Sequence, residues 1–206
     1  MRSMELLNTS LTPVRFVDSH HPQSPVKQQA NLANCKARLE SLVKDITANY
    51  AKWQLAHQRG IALCYAIEAK KTRCLDKPDE EIGYYPDEMA LACDKLALIT
   101  SIFVDIVKNS HEILRQLRTL IKAAGTASNV IFYRTWKLQH FVSFMEELLN
   151  RYGRESVVKQ QVMQNIAHCT QRSKLIAYTT AWEFPDHVDA YVDLVFRLLA
   201  EEVKET

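Results

Sequence analysis

The chain has 206 residues, a formal net charge of +2 and 47% hydrophobic residues, but only 4 glycines and 6 prolines. Sheets and tight hairpins draw on Gly, Asn-Gly or Asp-Gly to reach positive φ, so this composition excludes a β-rich fold and predicts helix. A charge balance so near neutral gives no strong global field, and direct nucleic-acid binding is not expected of the surface as a whole.

Residues 1–30 read as a flexible tail. They hold Pro13, Pro22 and Pro25, two adjacent histidines and no sustained apolar period. Such a segment buries too little surface to offset the entropy of ordering it. A short docking contact through Leu6, Leu7, Val14, Phe16 and Val17 is the one structural use it offers. Thr12-Pro13-Val14-Arg15 and Ser24-Pro25-Val26-Lys27 both fit the Ser/Thr-Pro-x-Lys/Arg pattern of cyclin-dependent kinase substrates, which makes Thr12 and Ser24 candidate phosphorylation sites. Proline serves there because it lacks an N–H and holds an extended backbone.

A first long helix is predicted from about Gln29 to Cys74. Leu39, Leu42, Ile46, Asn49, Trp53, Ala56, Gly60, Leu63 and Ile67 alternate at spacings of three and four, the seam of a long packed helix or coiled coil. Asn49 on that seam fixes register at some cost in stability. Gly60 costs on the order of 1 kcal/mol of helix propensity, which points to close approach of another helix carrying a bulky residue such as Trp. Between Leu32 and Lys77 there are nine basic residues against four acidic ones, which read as a solvated basic helix or, more sharply, as a basic strip that docks an acidic partner or nucleic acid.

Pro78, Gly83 and Pro86 break the pattern inside an acidic stretch with Asp79, Glu80 and Glu81. Pro86-Asp87-Glu88 starts a second helix, acids being favourable in its first turn. Its seam runs Met89, Ala92, Leu96, Ile99, Phe103, Ile106, Ser110, Ile113, Leu117 and Leu120, and Gly125 supplies the stop. Residues 31–125 therefore form a long antiparallel α-hairpin, about 55 to 60 Å long.

Residues 126–206 form a C-terminal helical segment packing on the hairpin. It opens with an apolar strap, Val130 to Trp136, with Thr135 as candidate N-cap. A third helix spans about Trp136 to Thr170, with Phe141, Met145, Leu148, Leu149, Tyr152, Val158, Val162 and Ile166 inward and a bend at Gly153. A fourth covers Arg172 to Trp182 and ends before Pro185. The last, about Asp186 to Lys204, puts Val188, Tyr191, Val192, Val195, Leu198 and Leu199 on one face. The fold class is all-α: a coiled-coil-like antiparallel hairpin, C-terminal helices packed as a bundle, and a disordered N-terminal tail.

Motifs for chemistry are missing. There is no paired Glu-x-x-His, no phosphate loop and no nucleophile elbow, and His111-Glu112 meets Arg115 where a zinc motif needs its second histidine. His140 and His168 stand 28 residues apart, about 42 Å along a straight helix. Five cysteines without a Cys-x-x-Cys predict free thiols in a reducing compartment. Neither a signal peptide nor a run of about 20 apolar residues is present, so no membrane association is expected. The expectation is a protein that is not an enzyme and uses no cofactor or metal.

One ordered succession stands out: Phe132-x-x-Thr135-Trp136-x-x-x-His140-Phe141, Leu148-Leu149-x-x-Tyr152, Glu155, Lys159, Val162, Ile166-Ala167-His168, Leu175, Tyr178, Trp182. Trp53, Gly60, Ile67 and Lys71 fall at matching intervals upstream. The chain resembles the cyclin-dependent kinase 2-interacting protein family, over about residues 35 to 200 and most strongly from Phe132 to Trp182. It departs from the family at Pro185, one place early, and in an ending without the family's glycine.

The resemblance implies a non-enzymatic adaptor in DNA replication and genome maintenance, nuclear and also cytoplasmic. It implies as partners a cyclin-dependent kinase 2 type kinase, the partner subunit of a checkpoint kinase, AAA+ ATPase subunits and a small coiled-coil protein. Maturation of the large ribosomal subunit with the same ATPase is the alternative it carries, and a basic helical nucleic-acid binder is the alternative from charge alone. Leu39, Ile46, Trp53, Gly60, Leu63, Ile67, Phe103, Ile106, Trp136, Phe141, Tyr152 and Trp182 are the candidate residues for partner or helix packing.

Overall fold

The computed structural model describes residues 25–76 and 87–204, and there the chain is all-α, with five α-helices and no strand among the described residues. α1 (Pro25–Asp76) and α2 (Asp87–Ala124) have 52 and 38 residues, about 78 and 57 Å at 1.5 Å per residue. They run antiparallel: Asn49 of α1 reaches Ile106 and Ser110 of α2, while Arg38, nearer the start of α1, reaches Gln116, further along α2. α3 (Leu138–Asn165) lies chiefly along α2, and α4 (Arg172–Glu183) packs on α1 and α3. α5 (Ala190–Glu202) wedges Phe196 between Tyr50 of α1 and Phe144 of α3, at ring separations of 3.8 and 5.6 Å. One continuous apolar core joins all five helices, so hairpin and C-terminal segment share an interior.

The predicted seams are the interior of that core. Leu39, Leu42, Ile46, Trp53, Ala56 and Ile67 of α1 are buried, as are Met89, Leu96, Phe103, Ile106, Ile113 and Leu117 of α2. Past Gly60 the buried stripe leaves the 3-4 register: Cys64 is fully buried and Leu63 only partly. An undistorted helix drifts about 20° per heptad against a seven-residue repeat, and here the inward line passes to Cys64, Ile67 and Lys71. Asn49 on the seam is satisfied across the hairpin, its Nδ2 donating to the Ile106 carbonyl at 3.1 Å and to Ser110 Oγ at 2.9 Å.

Several boundaries differ from the sequence reading. α1 begins at Pro25 rather than near residue 29 or 31, since proline's fixed φ suits a first helical position and its missing N–H has no intrahelical partner to lose. Thr12, Ser24 and the acidic stretch from residue 77 to 86 lie outside the described residues. Pro25, Val26 and Lys27 of the second kinase pattern are helical rather than extended. Gly125 does end α2, at φ +54°, and opens a single 3-10 segment, Gly125–Asn129.

Thr135 is not the cap of α3. That helix starts two residues later than expected, with Lys137 at the N-cap and its backbone N–H donating to His140 Nδ1 at 3.0 Å. α3 passes through Gly153 without a break and ends at Asn165, five residues early, in a 3-10 turn, Ile166–His168. α5 starts at Ala190, later than expected, because Asp189 caps it by accepting from the Tyr191 N–H. Its inward line is Val192, Phe196 and Leu199, continuing from Val188 just before the helix, whereas Tyr191 and Leu198, expected on that face, are half exposed. A 4-4-3 spacing carries the buried line, and the other apolar residues of α5 form a second stripe beside it.

Candidate interaction surfaces

The candidate packing residues first meet one another inside the protein. Leu39, Ile46, Trp53, Gly60, Ile67, Phe103, Ile106, Phe141, Tyr152 and Trp182 are buried, and Leu63 and Trp136 are partly buried against the same core. They are therefore engaged chiefly by the chain's own helices.

Gly60 and Trp182 form the tightest of these contacts. A Cβ on Gly60 would stand 2.1 Å from Cζ2 of the Trp182 ring. The ring also meets Phe103 edge-on at 5.8 Å, and its Nε1 donates to the His57 carbonyl at 3.2 Å. Below it lies an ion pair that sequence reasoning quoted but did not interpret. Lys159 Nζ is 3.0 Å from Glu155 Oε1, with both side chains at 0% exposure, and donates to the Trp182 carbonyl at 2.7 Å. Glu155 Oε2 accepts the His187 N–H at 3.2 Å. The i, i+4 spacing of Glu155 and Lys159 was visible, but such pairs are usually solvated; only the packing of α4 over them takes them out of water. Together these bonds fasten the end of α4 and the following turn to α1 and α3.

The titratable groups of this cluster are tuned by the same burial. Desolvation, then the nearby Lys159 charge, pushes the His57 pKa down to about 4. His57 is stacked on Trp53 at 4.9 Å. Desolvation also raises the Cys64 thiol to about 12, which suppresses the thiolate a nucleophile needs. All five cysteines are free thiols. Among the described residues no three of His, Cys, Asp and Glu converge as metal ligands would.

The strap is held from the far end of the chain. Glu202, buried at the end of α5, accepts the N–H groups of Arg134 (3.0 Å), Thr135 (2.7 Å) and Trp136 (2.8 Å) on Oε1, and the Thr135 hydroxyl (2.6 Å) on Oε2. Burial pushes this carboxyl's pKa up, but the bonds from Thr135, Trp136 and Arg134 outweigh it and hold the group below the usual range. Fixed this way, Trp136 meets Phe141 edge-on at 5.1 Å and Phe144 at a tilt at 5.7 Å. Sequence reasoning placed Glu202 within the last helix but gave it no role, because nothing local marks a glutamate that bonds a segment nearly 70 positions away.

Two grooves run along the edge of this core, lined by different helices. The first is a groove of about 400 Å³ between α3 and α5, bordered by Trp136, Phe144, Leu148, Tyr191, Leu194 and Leu198. Tyr191, Leu194 and Leu198 are each about half exposed and follow at i, i+3 and i+7, one face of a helix. The second is a groove of about 500 Å³ between α1 and α2, floored by Leu55, Ala56, Ile102 and Ile106. Its rim holds Lys52, Arg59, Asp105 and Lys108.

The basic residues of α1 do not make one continuous strip. Lys36 pairs with Glu40 at 3.9 Å, Arg38 bonds Gln116, and Lys71 is buried, while Lys52 and Arg59 edge the second groove. A helix turns its residues to all sides, and a basic count along the chain does not become a basic face. No helix among the described residues is long and apolar enough to cross a membrane. Comparison with protein-family models and with curated proteins gives no match to either.

Proposed function

We propose that this chain is a non-enzymatic helical adaptor of the kind its resemblance to the cyclin-dependent kinase 2-interacting protein family implies. It acts in DNA replication and genome maintenance in the nucleus, as a subunit of a chromatin-associated AAA+ ATPase assembly and a link to cell-cycle and checkpoint kinases. The observation that supports this reading is the α3–α5 groove. Tyr191, Leu194 and Leu198 keep about half their surface in water although the core beside them is closely packed. An apolar face of this size beside a partly buried Trp136 is what an amphipathic helix of a partner covers. The long hairpin then serves as a rigid arm, its seams being engaged internally.

The test is affinity purification of the full chain from nuclear extract followed by mass spectrometry, comparing wild type with Leu194→Glu/Leu198→Glu. Both positions are exposed, so the variant is expected to keep the wild-type melting temperature. Recovery of AAA+ ATPase subunits and a small coiled-coil protein by wild type alone supports the reading. Equal recovery by both proteins removes the α3–α5 groove as the docking surface, and recovery of no such subunits by either removes the assembly. Enrichment of large-subunit ribosomal precursors in the same eluate decides for the ribosome-maturation role.

A further inference from the structure

The α1–α2 groove differs in charge from the α3–α5 groove, whose lining Glu147 and Arg151 pair with each other at 2.6 Å. Its floor is aliphatic, with Leu55 at 49% exposure, and by helical spacing Leu98 and Leu91 continue the Ile102 face of α2, four and eleven positions before it. They are 69% and 56% exposed, high values for leucine. On the rim, Asp105 is engaged by Lys108 at 3.4 Å. Lys52 and Arg59, by contrast, take part in none of the ion pairs among the described residues. The groove thus has an apolar floor and two uncompensated cations. An adjoining pocket, which shares Lys52 and Asn109 with the groove, is more polar, with Asp45, Asn49 and Glu112 along its walls, and Glu112 is already paired with Arg115 at 2.6 Å.

We propose that this groove docks an amphipathic helix from a partner protein whose aliphatic face is flanked by acidic residues, with those acids seated against Lys52 and Arg59. Three features select this occupant. The apolar floor calls for aliphatic anchors at i, i+3 or i+4, and i+7. The two free cations favour carboxylates and penalise a basic helix. Asp45, in the adjoining pocket beyond Lys52, repels acid there, which favours acids placed on the Arg59 side. The chain itself supplies no such segment. Its acidic stretch Asp79-Glu80-Glu81-Ile82 offers a single aliphatic residue between prolines, and the sequence of residues 1–24 has two basic residues, Arg2 and Arg15, for its two acidic ones, Glu5 and Asp18. A second copy would bring the same two cations to the contact. The inference deepens the adaptor reading and rests on it only in taking the occupant to be a protein.

The test uses the full chain and two fluorescein-labelled synthetic helices of identical leucine spacing, one with glutamates and one with lysines beside the leucines. Fluorescence anisotropy at low salt is expected to show the glutamate helix binding about tenfold more tightly, the scale of two solvent-exposed charge pairs. Lys52→Glu/Arg59→Glu is expected to reverse that preference, and Leu55→Glu to abolish binding of both helices with an unchanged melting curve. Leu194→Glu, on the other groove, is expected to bind the glutamate helix as wild type does. The proposal is overturned if the two helices bind alike, or if Leu55→Glu leaves binding intact. Self-association of the free chain that Leu98→Glu abolishes would also overturn it, by assigning the face to a second copy. Should the helices fail to bind while AAA+ subunits are still captured through α5, the groove proposal falls and the adaptor reading stands.

Discussion

The indole of Trp182 occupies the space in which a side chain on Gly60 would begin: three of its atoms lie 2.1 to 2.5 Å from a Cβ built there. α4 reaches α1 at that distance only because residue 60 is glycine. Gly60→Ala therefore gains about 1 kcal/mol of helix propensity and loses more to overpacking, which costs about 1–3 kcal/mol in a filled core. The ring is fully buried and tied through Nε1, so the upper part of that range applies. Urea unfolding is expected to show Gly60→Ala less stable by about 1–2 kcal/mol. Adding Trp182→Leu should recover part of the clash, so the two changes will be non-additive in a double-mutant cycle.

Lys159 and Glu155 are a buried pair whose members depend on each other. Removing one leaves the other charged and out of water, a loss of about 3–5 kcal/mol. Lys159→Ala should therefore be severely destabilised in the same urea assay. Glu155→Leu/Lys159→Met, which removes both charges and fills the space, is expected to be more stable than Lys159→Ala alone. A double variant no better than the single would show that the hydrogen bonds to Trp182 and His187, rather than the charge pair, carry the stability.

Glu202 makes the acid end of the stability curve informative. Its folded pKa lies below the ordinary 4.5, so the unfolded chain binds more protons as pH falls. Its contribution is complete above about pH 4.5 and is lost as pH falls through the folded value. Glu202→Gln should cost about 1.5–3 kcal/mol at neutral pH, the scale of hydrogen bonds to a charged group. That difference from wild type should shrink towards zero in acid. A penalty unchanged from pH 7 to pH 3 would assign the effect to shape rather than charge.

His57 acts in the neighbouring window. Its folded pKa is about 4 against 6.5 for the free side chain, so folding keeps the ring neutral. Between those values the unfolded chain binds the extra proton, and stability falls as pH is lowered from about 6.5 towards 4. An NMR titration of the His57 ring should give a midpoint near 4. Lys159→Met should move that midpoint up only partway, because burial and not the lysine charge is the larger cause. A midpoint near 6.5 in wild type would contradict the packing of the ring on Trp53.

Much of this architecture was legible in the sequence. Spacings of three and four through Leu39, Ile46 and Trp53, and through Leu96, Phe103 and Ile106, place these side chains on one face whatever lies opposite, because helix geometry is local. Gly60 on such a face likewise required a close neighbour, and Pro25 and Gly125 marked ends through their own backbone preferences. The sequence could not say which apolar stripe of α5 turns inward, that Glu202 ties the strap, or that Glu155 and Lys159 lose their water. Nor could it separate the buried seams from the open grooves at Leu55, Leu98, Leu194 and Leu198. Periodicity counts apolar residues and assigns them to faces. Which faces are covered is decided by how five helices share one core, and that depends on contacts between residues far apart in the chain.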